Sequence, residues 1–239
     1  MKRYYNHIKI IGLLILVAFL FAFSSVRNSE RKVGEPIIKF LGEENLFVTH
    51  ETVSKLLIVN QQSVANKPKE IIDLNDLETA LNSNPMIKEA QVYINVDGQL
   101  TAEISQKRPI ARVSTKASYY IDDDGSHMPL STNYSARVPL VTGVVEKNNL
   151  HNIAVVARKV QADEFLKQNV VEIHQNENRS IDLRFRKDDF TIQLGSLNQL
   201  EKKINNLKAF YQKAMRDSTL NKYSVVNLRF DKQVICTKK

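Results

Sequence analysis

Five histidines, one cysteine and a run of three aspartates are the residues of this 239-residue chain with the widest chemistry. His7, His50, His127, His151 and His174 lie far apart, and no His-Glu-x-x-His spacing sets two imidazoles on one helical face toward a zinc ion. The sequence contains no Gly-x-Ser-x-Gly elbow, no glycine-rich phosphate loop and no Ser-x-x-Lys motif. It therefore reads as no enzyme, with no cofactor and no small-molecule substrate. Cys236 stands alone, which excludes an internal disulfide and any Cys-x-x-Cys metal site. Asp122-Asp123-Asp124-Gly125 invites calcium, but a calcium loop of the EF-hand kind needs a glutamate at its twelfth position, and Asn133 stands there. A solvated turn without a metal is the expectation.

Backbone chemistry is the other candidate. The stretch "SVVNLRFDKQVICTKK" alternates Val226, Leu228 and Phe230 with Val225, Asn227 and Arg229, the period of a half-buried strand. After Asp231-Lys232-Gln233 comes a second short run, Val234, Ile235 and Cys236, followed by two lysines. A strand at the edge of a sheet exposes unpaired N–H and C=O groups. Two readings are open: an ordinary edge blunted by Lys238 and Lys239, or an edge that a partner completes by strand addition. On the second reading the candidate partner-binding residues are Phe230, Asp231, Lys232, Gln233, Val234, Ile235 and Cys236, and the lysines would attract an acidic segment.

The formal charge of +8 admits nucleic acid, an anionic membrane surface or an acidic protein. The basic residues are scattered, with no dense run and no interleaved aromatics, so no nucleic-acid partner is expected. The N-terminal residues carry a stronger signal. Fourteen residues from Ile10 to Phe23 contain no charge, and the apolar stretch runs to Val26 after Lys2, Arg3 and Lys9. That is short for a spanning helix and long for a signal-peptide core. Ala22-Phe23-Ser24 is a tolerable cleavage site, so both readings stand, whereas the absence of a cysteine just after the run excludes a lipoprotein. Long domains translocate largely regardless of nearby charge, so the roughly 210 residues beyond Val26 are expected outside the cytoplasm.

The middle of the chain supplies the elements that position the C-terminal strands. Ile37, Ile38, Phe40 and Leu41 form a short apolar run. Thr49 is an N-cap candidate ahead of Val53, Leu56 and Leu57, and Asn75 with Glu78 reads as a capping box ahead of a Leu74, Leu77, Ala80, Leu81 stripe. Ala90, Val92, Ile94 and Val96 then alternate, Asp97-Gly98 signals a hairpin, and Leu100, Ala102 and Ile104 return until Pro109. Further on, 149–168 reads as one helix, 170–174, 181–185 and 190–194 as strands, and Leu197, Leu200, Ile204, Leu207, Tyr211 and Ala214 as the stripe of a helix lying on a sheet.

The order strand, helix, helix, strand, strand, with "NPMIKEAQVYINVDGQLTAEISQKRPIARV", resembles a POTRA domain. With "SYYIDDDGSHMPL", "RVPLVTG" and the terminal "YSVVNLRFDKQVICTKK", the chain resembles the FtsQ/DivIB family of cell-division proteins. It departs from that pattern at Asn227, Phe230 and the glycine-free turn Asp231-Lys232-Gln233. The resemblance implies a divisome scaffold of the septum that links early and late division proteins. It also implies binding of FtsB/DivIC-like and FtsL-like partners through the C-terminal strand. An anchored or secreted POTRA-type accessory protein of an export or assembly system is the alternative.

The expected fold class is α+β: a transmembrane helix, a βααββ POTRA domain and a mixed β-sheet domain with two helices. The expected boundaries are a cytoplasmic tail at 1–9, the anchor from Ile10 to Val26, a linker at 27–35, the POTRA domain at 36–108 and the β domain at 109–239. The family implied here is anchored in the bacterial inner membrane by a single pass, with its bulk in the periplasm, so the mature chain is expected to retain Ile10–Val26. N-terminal sequencing of membrane-extracted protein checks this, and a mature chain beginning near Ser24 or Ser25 contradicts it.

Overall fold

The structure, a computed structural model, describes residues 2–29, 32–42, 45–59, 62–63, 68, 71–115, 117–230 and 233–239. The chain divides into two compact units, Met1–Gln106 and Lys107–Lys239. The first begins with α1 (Lys2–Ser29), whose segment Lys9–Val26 has a mean hydropathy of 2.4, long and apolar enough to cross a membrane.

The rest of that unit is the POTRA arrangement. It runs β1 (Ile37–Leu41), α2 (His50–Leu56), a small hairpin of β2 (Ile58–Val59) and β3 (Gln62–Ser63), α3 (Leu74–Asn82), β4 (Ile87–Ile94) and β5 (Leu100–Gln106). The sheet order is β1-β5-β4, with β1 parallel and β4 antiparallel to β5. Val53, Leu57, Leu77 and Leu81 from the helices bury against Leu100, Ala102 and Ile104. The buried amide of Gln106 accepts from the N–H groups of Phe47 and Val48 at 2.9 and 3.0 Å and donates to the Val48 carbonyl at 3.0 Å. It thereby fixes the entry to α2, where Thr49 caps as expected by accepting from the Thr52 N–H at 3.2 Å.

Two local expectations give way here. The N-cap of α3 is Asp73, whose Oδ1 accepts from the N–H groups of Asn75 and Asp76 at 2.9 and 3.2 Å. A carboxylate immediately before Leu74 satisfies those donors first, so Asn75 lies inside the helix and Glu78 turns to strand β4 instead, accepting from the Val92 N–H at 2.7 Å. Strand β4 stops at Ile94, leaving Val96 87% exposed in the connection. Asn95 N–H donates to the Gln99 carbonyl at 2.9 Å and Gly98 N–H to the Asn95 carbonyl at 3.0 Å, so three residues make the turn, with Gly98 at φ +89°.

The second unit is one nine-stranded mixed sheet over a single core. Its elements are β6 (Pro109–Ser114), β7 (Ser118–Asp122), β8 (His127–Met128), β9 (Leu140–Gly143), α4 (His151–Ala162), α5 (Glu164–Asn169), β10 (Val170–Gln175), β11 (Ile181–Phe185), β12 (Thr191–Gly195), α6 (Leu200–Arg216), β13 (Tyr223–Asn227) and β14 (Ile235–Lys238). The order across the sheet is β14-β13-β12-β11-β10-β9-β6-β7-β8. Register aligns Val113, Val141, Ile173, Leu183, Ile192 and Val226 in one buried row. That row shares its core with Ile153, Val156 and Val160 of α4 and Ile204, Leu207 and Tyr211 of α6, the packed stripe read from the sequence. The neighbouring row, Arg112, Leu140, Glu172, Arg184, Thr191 and Val225, faces the other way and is largely polar.

The expected single helix at 149–168 is two, which makes three α-helices among the described residues of this unit, where two were expected. Asp163 leaves the helical region at φ −113°, ψ 114°, and caps α5 by accepting from the Leu166 N–H at 3.2 Å. Burial disfavours its charge, but the bonds from Lys208 and the Leu166 N–H outweigh that and hold its carboxyl below its ordinary value. Asp122 also departs from expectation. It is buried, with Oδ1 accepting from the Ser126 N–H at 2.7 Å and Oδ2 lying 3.2 Å from Lys107 Nζ.

A Cβ at position 98 would meet the Lys32 carbonyl at 3.2 Å in a backbone region closed to β-branched residues. Gly98→Val is expected to destabilise the first unit by about 1–2 kcal/mol. Thermal unfolding should show the second unit melting at its wild-type temperature, and a single shifted transition would contradict independent folding of 36–106 and 107–239.

Candidate partner-binding edge

The C-terminal edge is built outward from β12. Strand β13 lies parallel to β12 in the register Thr191↔Val225, Ile192↔Val226, Gln193↔Asn227, with Val226 fully buried. Leu228 extends this contact, since its N–H donates to the Gln193 carbonyl at 2.9 Å and its side chain is buried. The Asn227 side chain then accepts from the Arg229 N–H at 3.0 Å, an Asx turn that ends the ladder. Phe230, expected as the third inward residue of the strand, therefore lies beyond it and is 46% exposed.

Strand β14 returns antiparallel in the register Asn227↔Ile235, Val226↔Cys236, Val225↔Thr237. Val234 and Cys236 pack partly buried against the core, whereas Gln233, Ile235 and Thr237 face out, Ile235 at 41% exposure. Of the seven candidate residues, Asp231 and Lys232 lie outside the described residues. Phe230, Gln233 and Val234 are in the connection, and only Ile235 and Cys236 belong to the strand. Thr237 and Lys238 complete it, and the sequence reading missed them because their side chains are polar. Their signal was the length of the strand opposite, since Tyr223 and Val225 take Lys238 and Thr237 as partners across a register shift. The Ser224 hydroxyl donates to the carbonyls of Thr237 and Lys238, both at 3.2 Å, and Lys239 N–H to the Lys222 carbonyl at 2.9 Å. Among the described residues no strand pairs with the outer side of β14.

Charge divides unevenly between the two units. Residues 107–239 carry 23 Lys and Arg against 14 Asp and Glu, whereas 36–106 carry 5 against 10. The basic excess therefore belongs to the unit with the open strand. Around it stand Arg229, Lys222 and Lys238, and Lys239 is 3.2 Å from the exposed Asp189, a pair of small energetic weight. A polar cavity of about 690 Å³, lined by His174, Asp182, Gln193 and Arg229 among others, opens on the same unit.

The histidines sit on separate elements. The His50 ring packs on Phe40 and the His127 ring on Tyr119, both at 4.9 Å between centroids, and the side chain of His7 lies outside the described residues. Burial, helped by Lys147 and Lys107, pushes His127 below its ordinary pKa. His174 Nδ1 lies 2.8 Å from the Thr142 hydroxyl, which donates to Glu172 Oε1 at 2.6 Å. With the hydroxyl proton committed to the carboxylate, His174 is the donor to Thr142 and does not draw a proton from it. The carboxylates of Asp122, Asp123 and Asp124 come within 4.8 Å of one another, yet Lys107 and the Ser126 N–H already engage Asp122, which acts as a pin for the turn.

Comparison with known proteins agrees with this architecture. The POTRA-like domain matches residues 42–105, and the family described as FtsQ/DivIB, C-terminal related, matches residues 108–237. A cell division protein FtsQ of Salinibacter ruber is 26% identical over 168 residues, covering 64% of this chain and 64% of that protein. A cell division protein FtsQ of Geotalea daltonii is 20% identical over 177 residues, covering 69% and 63%. The matched region thus spans less than two thirds of the length of either relative. With the POTRA unit first and the family match at 108–237 taking in 130 of the 239 residues, more than half of the chain, the chain belongs to the FtsQ/DivIB family.

Proposed function

We propose that this protein is a single-pass inner-membrane scaffold of the bacterial division machinery. Its bulk lies in the periplasm, concentrated at the division septum, where it links early and late division proteins. It binds the FtsB/DivIC-like and FtsL-like pair by taking one partner segment as an added strand on β14. The observation that carries the reading is the outer side of β14, unpaired among the described residues and set in a unit with a basic excess. Strand addition draws affinity from main-chain hydrogen bonds and specificity from neighbouring side chains. Phe230 and Ile235, 46% and 41% exposed, supply that apolar contact beside a cationic rim. The membrane part of the reading is supported by the apolar segment Lys9–Val26.

Two measurements test it. Phe230→Lys and Ile235→Lys, both at exposed positions, should leave the circular dichroism unchanged and abolish capture of the partner pair from detergent-solubilised membranes. Deletion of Val234–Lys239 should likewise abolish capture while the POTRA unit stays folded. Capture by folded Phe230→Lys and Ile235→Lys chains at wild-type strength contradicts the reading. Cys236 gives an internal report. Burial raises its thiol pKa, so little thiolate is present at neutral pH and alkylation is slow. Saturating partner should slow it several-fold further, and an unchanged rate would place the partner elsewhere.

A further inference from the structure

The POTRA sheet has two edges, and the chain treats them differently. At β4 two of the N–H groups that point away from β5, in the middle of the strand, are taken by side chains of α3. Ala90 donates to Asn82 Oδ1 at 2.9 Å and Val92 to Glu78 Oε1 at 2.7 Å, while Asn82 Nδ2 reaches back to the Ala90 carbonyl at 3.4 Å. An incoming strand would have to displace all three bonds. At the opposite edge β1 is paired only with β5 among the described residues, and its outer side has no hydrogen-bond partner there. Ile37 and Leu41 stand 45% and 49% exposed on the same face as Lys39, whose Nζ lies 3.5 Å from Glu103. An apolar edge of this kind is a template for pairing.

We propose that β1 pairs antiparallel with β1 of a second copy of this chain, about a twofold axis at Lys39, joining two three-stranded sheets into one of six strands. The sequence itself argues for this occupant. Ile37-Ile38-Lys39-Phe40-Leu41 has the same apolar pattern read in either direction, which is the self-complementarity an isologous interface requires. Antiparallel pairing sets Ile37 against Leu41 of the second copy, covering the residues now exposed, and Ile38 against Phe40. A lysine in an edge strand ordinarily opposes self-pairing. Here each Lys39 is paired with Glu103, so the four charges brought together on the shared face sum to zero. The tether supports the same occupant, an argument that rests on the proposed membrane anchor. Eleven residues lead from Val26 to Ile37, a reach of at most about 40 Å, so two copies in one bilayer hold their β1 strands within the same layer. Confinement to that layer raises their effective concentration.

The test uses the full chain in native membranes with Cys236→Ser as background. Lys39→Cys places two thiols across the twofold axis at about 4.5–5.5 Å between Cβ atoms, so mild oxidation is expected to give a covalent dimer. Leu41→Cys alone puts its thiols about 14 Å apart and should stay monomeric. Ile37→Cys with Leu41→Cys should restore the dimer. Adding Lys39→Glu to that pair, which gathers four like charges, should abolish it. Alkaline extraction of the same membranes reports the anchor separately: a dimer in chain released by alkali supports the strand pairing and removes only the tether argument. Three results overturn the proposal: a monomeric Lys39→Cys chain, a Leu41→Cys chain that links as well as Lys39→Cys, or Lys39→Cys linked to a different protein.

Discussion

The constraint on which the architecture turns is the sheet edge: every strand that ends a sheet leaves backbone N–H and C=O groups without a ladder partner. Among the described residues the two larger sheets have four such edges, and two are managed within the chain. Strand β8 is only two residues long, too short to serve as a template. Strand β4 is closed by Asn82 and Glu78. Strands β1 and β14 keep their outer sides unpaired among the described residues, and both carry exposed apolar side chains. Those two open edges are the surfaces on which the proposed recognition rests.

What holds the β14 edge in place is a set of buried polar pins as much as the core. Lys203, 4% exposed on α6, donates to the carbonyls of Leu194 and Ser196 at 3.1 and 2.7 Å, closing the end of β12 against the helix. Lys208 and Asp163 tie the same helix to the start of α5. Strand β13 is registered on β12, so displacing α6 would displace the β14 edge, even though no residue of α6 belongs to it. Gln106 performs the equivalent task in the first unit by fixing the entry to α2.

The periodic elements were legible in the sequence because burial on one face imposes the period. Alternation at Ala90 to Ile94 and at Ile181 to Phe185 marks strands, and the stripe through Ile204, Leu207 and Tyr211 marks α6. The misreadings occur where a side chain finds a partner that spacing does not reveal. Asp163 breaks a helix that its apolar stripe would continue, because Lys208, 45 residues away, stabilises its carboxylate. Asp73 caps where Asn75 with Glu78 had the better motif, because its carboxylate already takes the Asn75 and Asp76 N–H groups, which leaves Glu78 for the β4 edge. Phe230 drops out of its strand because Asn227 turns the backbone, so the candidate site moves from Phe230–Cys236 toward Ile235–Lys238, with Phe230 beside it.

Backbone amide exchange on the full-length chain, with and without the FtsB/DivIC-like and FtsL-like pair, tests the central claim most directly, because strand addition acts through the backbone. Outward N–H groups of β14 that exchange freely in the isolated protein should become protected in the complex, within Ile235–Lys238, while the amides of β10 and β11 in the sheet interior keep their rates. A complex that forms with β14 exchanging as fast as in the free chain would contradict the account, whatever other surface became protected.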